Sequence, residues 1–87
     1  MVIHILENKF KEKSIKYKRE VSVGDGGNTL DFIVEDKIIL ELKATRLILK
    51  EHYRQLQNYL QQTGLKLGLL VNFRDQYIKP RRIIRID

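Results

Sequence analysis

Three charged residues, Asp31, Glu41 and Lys43, interrupt the run LDFIVEDKIILELKATR (residues 30–46), whose remaining members read as two apolar strands around a turn. Charges on strands that must bury both faces ordinarily pair, bind a metal or do chemistry. What these three can do depends on whether they meet.

Strand register decides that. Opposed residues of an antiparallel hairpin point to the same face, and the face alternates along each strand. A two-residue turn at Glu35-Asp36 would oppose Asp31 to Leu40 and send Asp31 and Glu41 to opposite faces. An odd loop, or one bulge, opposes Asp31 to Glu41. The odd register is the expected one, because it gathers Leu30, Phe32 and Val34 with Ile38, Leu40 and Leu42 on one apolar face. The other face then carries Asp31, Ile33, Ile39, Glu41 and Lys43.

Two carboxylates on adjacent strands make a hard oxygen site suited to Mg²⁺ or Mn²⁺, with the Leu42 carbonyl and water as further ligands. Lys43, two residues past Glu41 on the same face, could orient a water or offset charge on a phosphate. The competing reading is a cross-strand salt bridge from Asp31 or Glu41 to Lys43.

The elements that must position these residues follow from periodicity. Residues 1–13 read as a helix with Val2, Ile5, Leu6, Lys9 and Phe10 on one side. IKYKREVSV (residues 15–23) alternates as a strand with one wet face, and GDGGN (residues 24–28) is a turn. Strands are expected at 29–34 and 37–43, a helix at 47–63 stopping at Gly64, and a strand covered on both faces at 66–73. After Pro80, RRIIRI (residues 81–86) is an edge strand. A helix between the third and fourth strands implies a parallel crossover. The fold class is therefore α/β: a small mixed β-sheet with flanking helices, in the order αβββαβ(β), forming a single domain over residues 1–87.

Composition sets the outer bounds. Apolar residues at 43% and charged residues at 32% fit a folded globular chain, and without cysteines neither disulfides nor thiolate zinc sites can brace it. The N-terminal residues lack the pattern of a signal peptide, and no segment has the apolar length to span a bilayer, so a soluble, cytoplasmic protein with no membrane partner is expected. The net charge of +6 concentrates in KFKEKSIKYKR and KPRRIIR. It suits a polyanion partner, or a solubilising surface.

Asp31 followed ten residues on by Glu41-Leu42-Lys43 resembles the D…(D/E)xK core of the PD-(D/E)xK nuclease superfamily. The stretch HYRQLQNYLQQTGLKLGLLVNF (residues 52–73) is similar to the GxxExxY protein family within it, and the resemblance covers about residues 15–73. It implies a restriction-endonuclease-like core in which Asp31 and Glu41 hold metal and Lys43 assists the water. It also implies that Gln55 and Tyr59, matching a QxxxY motif, join the catalytic group. Their spacing places them one turn apart on a helix face, with His52 one turn earlier. Tyr59 could equally pack in the core with Leu56 and Leu60, and His52 reads as a cap. The family's naming glutamate and tyrosine are absent, and the chain is expected to begin just past them; Glu7 does not match that position.

The expected function is metal-dependent hydrolysis of DNA phosphodiester bonds. Lys16, Lys18, Arg46, Lys50, Arg54, Arg81 and Arg82 would hold the backbone without reading bases. The alternatives are a catalytically inactive nucleic-acid-binding module on the same fold, and an assembly domain. A homodimer is expected, through sheet edges or the first helix.

Overall fold

A computed structural model describes residues 2–74 and 78–87. Met1, included in the expected first helix, lies outside the described residues. The elements are α1 (Val2–Glu12), β1 (Tyr17–Val23), β2 (Asn28–Val34), β3 (Ile38–Lys43), α2 (Lys50–Thr63), β4 (Leu67–Asn72) and β5 (Arg81–Ile84). The five strands form one sheet in the order β1-β2-β3-β4-β5. Only β3 and β4 pair in parallel, as α2 between them requires, and the other neighbours are antiparallel. The mixed α/β class and the element order are those read from the sequence.

The two helices cover opposite faces. Leu56, Tyr59 and Leu60 of α2 bury with Val23, Leu30, Ile39, Leu70 and Ile83, while Ile3, Leu6 and Phe10 of α1 pack on Phe32, Leu40 and Val71. In α1 the inward stripe is Ile3, Leu6 and Phe10 instead of Val2 and Ile5; Ile5 is 60% exposed. Close approach of α2 to the sheet depends on Gly68, where an added Cβ would stand 2.9 Å from the Leu56 Cγ. The helix ends at Gly64, whose left-handed backbone (φ 76°) lets its N–H reach the Leu60 carbonyl. Its start is later than the periodicity implies, since Leu49 is extended and the Thr45 hydroxyl donates to the Leu47 carbonyl at 2.9 Å.

The β2–β3 hairpin adopts the odd register. Phe32 opposes Leu40 and Val34 opposes Ile38, with Glu35 and Asp36 both at positive φ and Lys37 donating back to the Val34 carbonyl. The expectation of one continuous apolar face on β2 needs correction. Phe32 and Val34 face α1, but Leu30 buries on the α2 side. The cause is a local irregularity shared by two strands. Glu20 and Asp31 form no pair, lying where the register skips from Arg19–Phe32 to Val21–Leu30, and Glu20 has φ 51°; Tyr17 lies with the α1 layer while Val21 and Val23 lie with α2. Both strands thus exchange faces at this break.

The two sheet borders differ. Along β5, the Gln57 side chain donates to the Ile84 carbonyl at 2.6 Å and accepts from the Ile86 N–H at 3.1 Å, and Gln61 donates to the Ile86 carbonyl. Strand β1, at the other border, pairs only with β2 among the described residues.

Candidate active site

The face exchange at Asp31 opens β2 from β3. Their pairing ends at Phe32 with Leu40, and beyond it the side chains take over. The Asp31 Oδ2 accepts the Leu42 N–H at 2.8 Å, the bond a continued ladder would have made. In return the Asp31 N–H donates to Glu41 Oε1 at 3.3 Å. The two acids therefore meet on the side facing α2, beneath its middle turns.

Glu41 is 5% exposed. Burial first, and the Asp31 charge second, push its carboxyl up to about 7, against the smaller opposing pulls of the Asp31 N–H and Lys43. Removal from water thus outweighs the nearby positive charge in setting the Glu41 carboxyl. Lys43 does not settle the balance. It forms no ion pair with either acid and donates from Nζ to Gln55 Oε1 of α2 at 3.3 Å. The cross-strand salt bridge weighed from the sequence is not formed.

Tyr59 stands one turn beyond Gln55, buried in the core, and its hydroxyl donates weakly to the Thr29 carbonyl at 3.5 Å. Burial and then the Glu41 and Asp31 charges raise its phenol above the ordinary value. Tyr59 is a core residue whose phenol senses both acids. His52 is a cap: its Nδ1 accepts the Leu49 N–H at 2.9 Å.

Asp31, Glu41, Lys43, Gln55 and Tyr59 are accordingly brought together. Among the described residues no third acid, histidine or cysteine completes a cluster of metal ligands around them. Two carboxylates and a backbone carbonyl at Leu42 past the last β2–β3 pair suit a hard divalent cation that fills its remaining positions with water and a phosphate oxygen.

The seven cations expected at a nucleic-acid surface divide. Arg46, Lys50 and Arg54 are exposed in the segment after β3 and the first turns of α2. Arg81 shares a rung with Leu70 and Glu41, hence the α2 face, and donates to the Tyr53 hydroxyl at 2.7 Å. Arg82 pairs with Leu69 on the other face. Lys18 shares a rung with Ile33, two residues down from Asp31, and with Lys16 it reaches Asp36 at the far end of the sheet, at 3.4 and 3.8 Å.

Sequence reasoning passed over Asn72. It is 5% exposed, and its amide donates to the Thr45 carbonyl at 2.8 Å while accepting the N–H groups of Thr45 at 3.1 Å and Arg74 at 3.2 Å. Paired in register with Lys43, it ties the chain leaving β3 to the end of β4. A buried amide closing an otherwise apolar strand was the available signal.

Comparison with known proteins follows this geometry. A model of the PD-(D/E)XK nuclease superfamily matches residues 4–86. The crystal structure of SSO0001 superposes with a TM-score of 0.75 at 27% identity, covering 99% of this chain and 50% of that one. An alkaline exonuclease (LHK-Exo) from Laribacter hongkongensis superposes with a TM-score of 0.68 at 18% identity, covering 97% and 54%. Its complex with dAMP gives the same TM-score at 20% identity and the same coverage. The chain spans about half the length of these solved structures. No curated protein matches it.

Proposed function

The chain belongs to the PD-(D/E)XK nuclease superfamily, and on that premise we propose that it is a metal-dependent nuclease hydrolysing DNA phosphodiester bonds. The observation that carries this reading is the convergence of Asp31, buried Glu41 and half-buried Lys43 under α2.

Asp31 and Glu41 would hold Mg²⁺ or Mn²⁺, with the Leu42 carbonyl as a third ligand. When bound, such an ion polarises the scissile phosphate and lowers the pKa of a water. The remaining work falls to the chain. Lys43, steered by Gln55, turns its ammonium toward the attacking water or a non-bridging phosphate oxygen. The Leu42 N–H bond fixes the Asp31 carboxylate, and the Asp31 N–H fixes Glu41, so both acids are oriented before substrate arrives. Tyr59 closes the inner wall against bulk water. Arg46, Lys50, Arg54 and Arg81, at the end of the sheet where α2 begins, would hold flanking phosphates.

Two finer assignments belong to this reading. HYRQLQNYLQQTGLKLGLLVNF supports placing the chain near the GxxExxY family. A homodimer is supported by the small core and by the open β1 border, since Gln57 and Gln61 occupy backbone groups of Ile84 and Ile86 beside β5; a monomer mass in solution scattering would count against it.

The test is cleavage of end-labelled DNA with Mg²⁺ or Mn²⁺, alongside Glu41→Gln and Lys43→Ala. Each substitution should lower the rate by ~100-fold or more. Activity surviving both would remove the site assignment. Salt-sensitive DNA binding without metal uptake or cleavage would favour the non-catalytic binding module instead.

A further inference from the structure

The same end of the sheet carries, on its α1 side, a feature that hydrolysis does not use. Val2 and Ile3 of α1, Leu42, Lys43 and Ala44 at the end of β3, and Phe73 after β4 enclose an open cavity of about 380 Å³. Binding sites for small molecules run to ~300–1,000 Å³. The lining is nearly all apolar, because the Lys43 ammonium is drawn to Gln55 on the other face and leaves its main chain here. The cavity starts one residue past Glu41. The Phe73 N–H donates to the Lys43 carbonyl at 2.8 Å, tying the main chains of the two residues together.

Resting on the nuclease reading above, we propose that this cavity receives one unpaired nucleobase of the substrate strand, stacked against Phe73, which makes single-stranded or frayed nucleic acid the preferred substrate class over blunt duplex. The occupant follows from what lies on either side. Exposed Arg46, Lys50 and Arg54 on the α2 side suit phosphates, whereas the cavity would desolvate a phosphate without pairing it. A ligand that satisfies both surfaces alternates charged groups with flat, weakly polar rings. Nucleic acid does, and every base presents a π-face to an aromatic side chain. A base inside a duplex is held in its stack, and taking it out costs a few kcal/mol, least when it is already unpaired.

The experiment measures binding of three oligonucleotides of one length to the full chain at fixed low salt: single-stranded, blunt duplex, and single-stranded with abasic sites. The expected order is single strand tightest, with the abasic strand weaker by ~5-fold or more, as loss of one stacked base implies. Phe73→Ala should remove that advantage and Phe73→Trp should keep it. An abasic strand bound as tightly as the base-bearing one by the unmodified chain overturns the proposal even if Phe73→Ala fails to fold, and leaves the nuclease reading standing. Adenosine 5′-monophosphate followed by methyl NMR separates the converse case. If no DNA is bound or cut, shifts at Val2, Ile3 and Leu42 retain the base site and sink the nuclease reading; no shifts there sink the base site.

Discussion

Asp31 and Glu41 are held by a reciprocal exchange across parted strands: the Asp31 N–H donates to the Glu41 carboxylate, and the Asp31 carboxylate accepts the N–H of Leu42, the residue after Glu41. Each acid thus substitutes for part of a ladder that stops one rung earlier. Orientation of the pair is consequently bound up with the strand geometry.

Stability without metal should fall as pH rises. The Glu41 carboxyl is raised in the folded chain to about 7 from an ordinary 4.5. A group raised on folding contributes stability that is full below its unfolded pKa and lost as pH climbs through the folded one. The window is therefore from about pH 4.5 to about 7, and the loss is on the order of 3 kcal/mol at most. Thermal melts across that range should show the decline, Glu41→Gln should flatten it, and millimolar Mg²⁺ or Mn²⁺ should offset it above pH 7. A flat profile for the unmodified chain would contradict the burial described for Glu41.

Asp31→Ala should act in two directions at once. It leaves the Leu42 N–H without its partner, at a cost of ~1–3 kcal/mol in denaturant unfolding. It also removes a charge that raises Glu41, so carbon-detected NMR titration should place that carboxyl lower than in the unmodified chain. An unchanged titration would mean the two acids do not sense each other.

Asn72→Ala should loosen the chain between Lys43 and α2. Its amide accepts the Thr45 and Arg74 N–H groups and donates to the Thr45 carbonyl, so a loss of roughly 1–3 kcal/mol is expected. Hydrogen exchange should rise at Thr45 and Arg74 before it rises in the core strands. Asn72→Asp should be no rescue, because a carboxylate cannot donate to the Thr45 carbonyl.

Gly68→Ala should destabilise by about 1–3 kcal/mol, the range for overpacking, since its Cβ would press on Leu56. Combining it with Leu56→Ala should cost less than the two separately, and a double-mutant cycle measures that coupling. Simple additivity would show that α2 shifts freely over β4.

How far the sequence reveals this arrangement varies with the physics behind each part. The Asp31–Glu41 opposition was legible because two registers distribute Leu40, Leu42 and Phe32 differently, and only one leaves an apolar face. Alternation groups Leu30 with Phe32, and the structure separates them, because a face exchange near Glu20 and Asp31 has no periodic signature. Positive φ at a glutamate is set by tertiary strain that side-chain alternation does not encode. Boundaries are hidden where caps are atypical, as at Leu49, whose side chain cannot accept a hydrogen bond and which instead donates its N–H to His52 Nδ1. Asn72 escaped notice because its role is a long-range bond across 27 positions. Charge alone does not separate Lys16 and Lys18 from the other cations, yet the fold carries both to the far end of the sheet, against Asp36.

The glutamines that occupy Ile84 and Ile86 also bear on self-association at high concentration. These bonds engage Ile84 of β5 and Ile86 just beyond it, so they withdraw part of that border as a template for a further strand. Replacing both glutamines by alanine should therefore raise the chain's tendency to aggregate edge to edge.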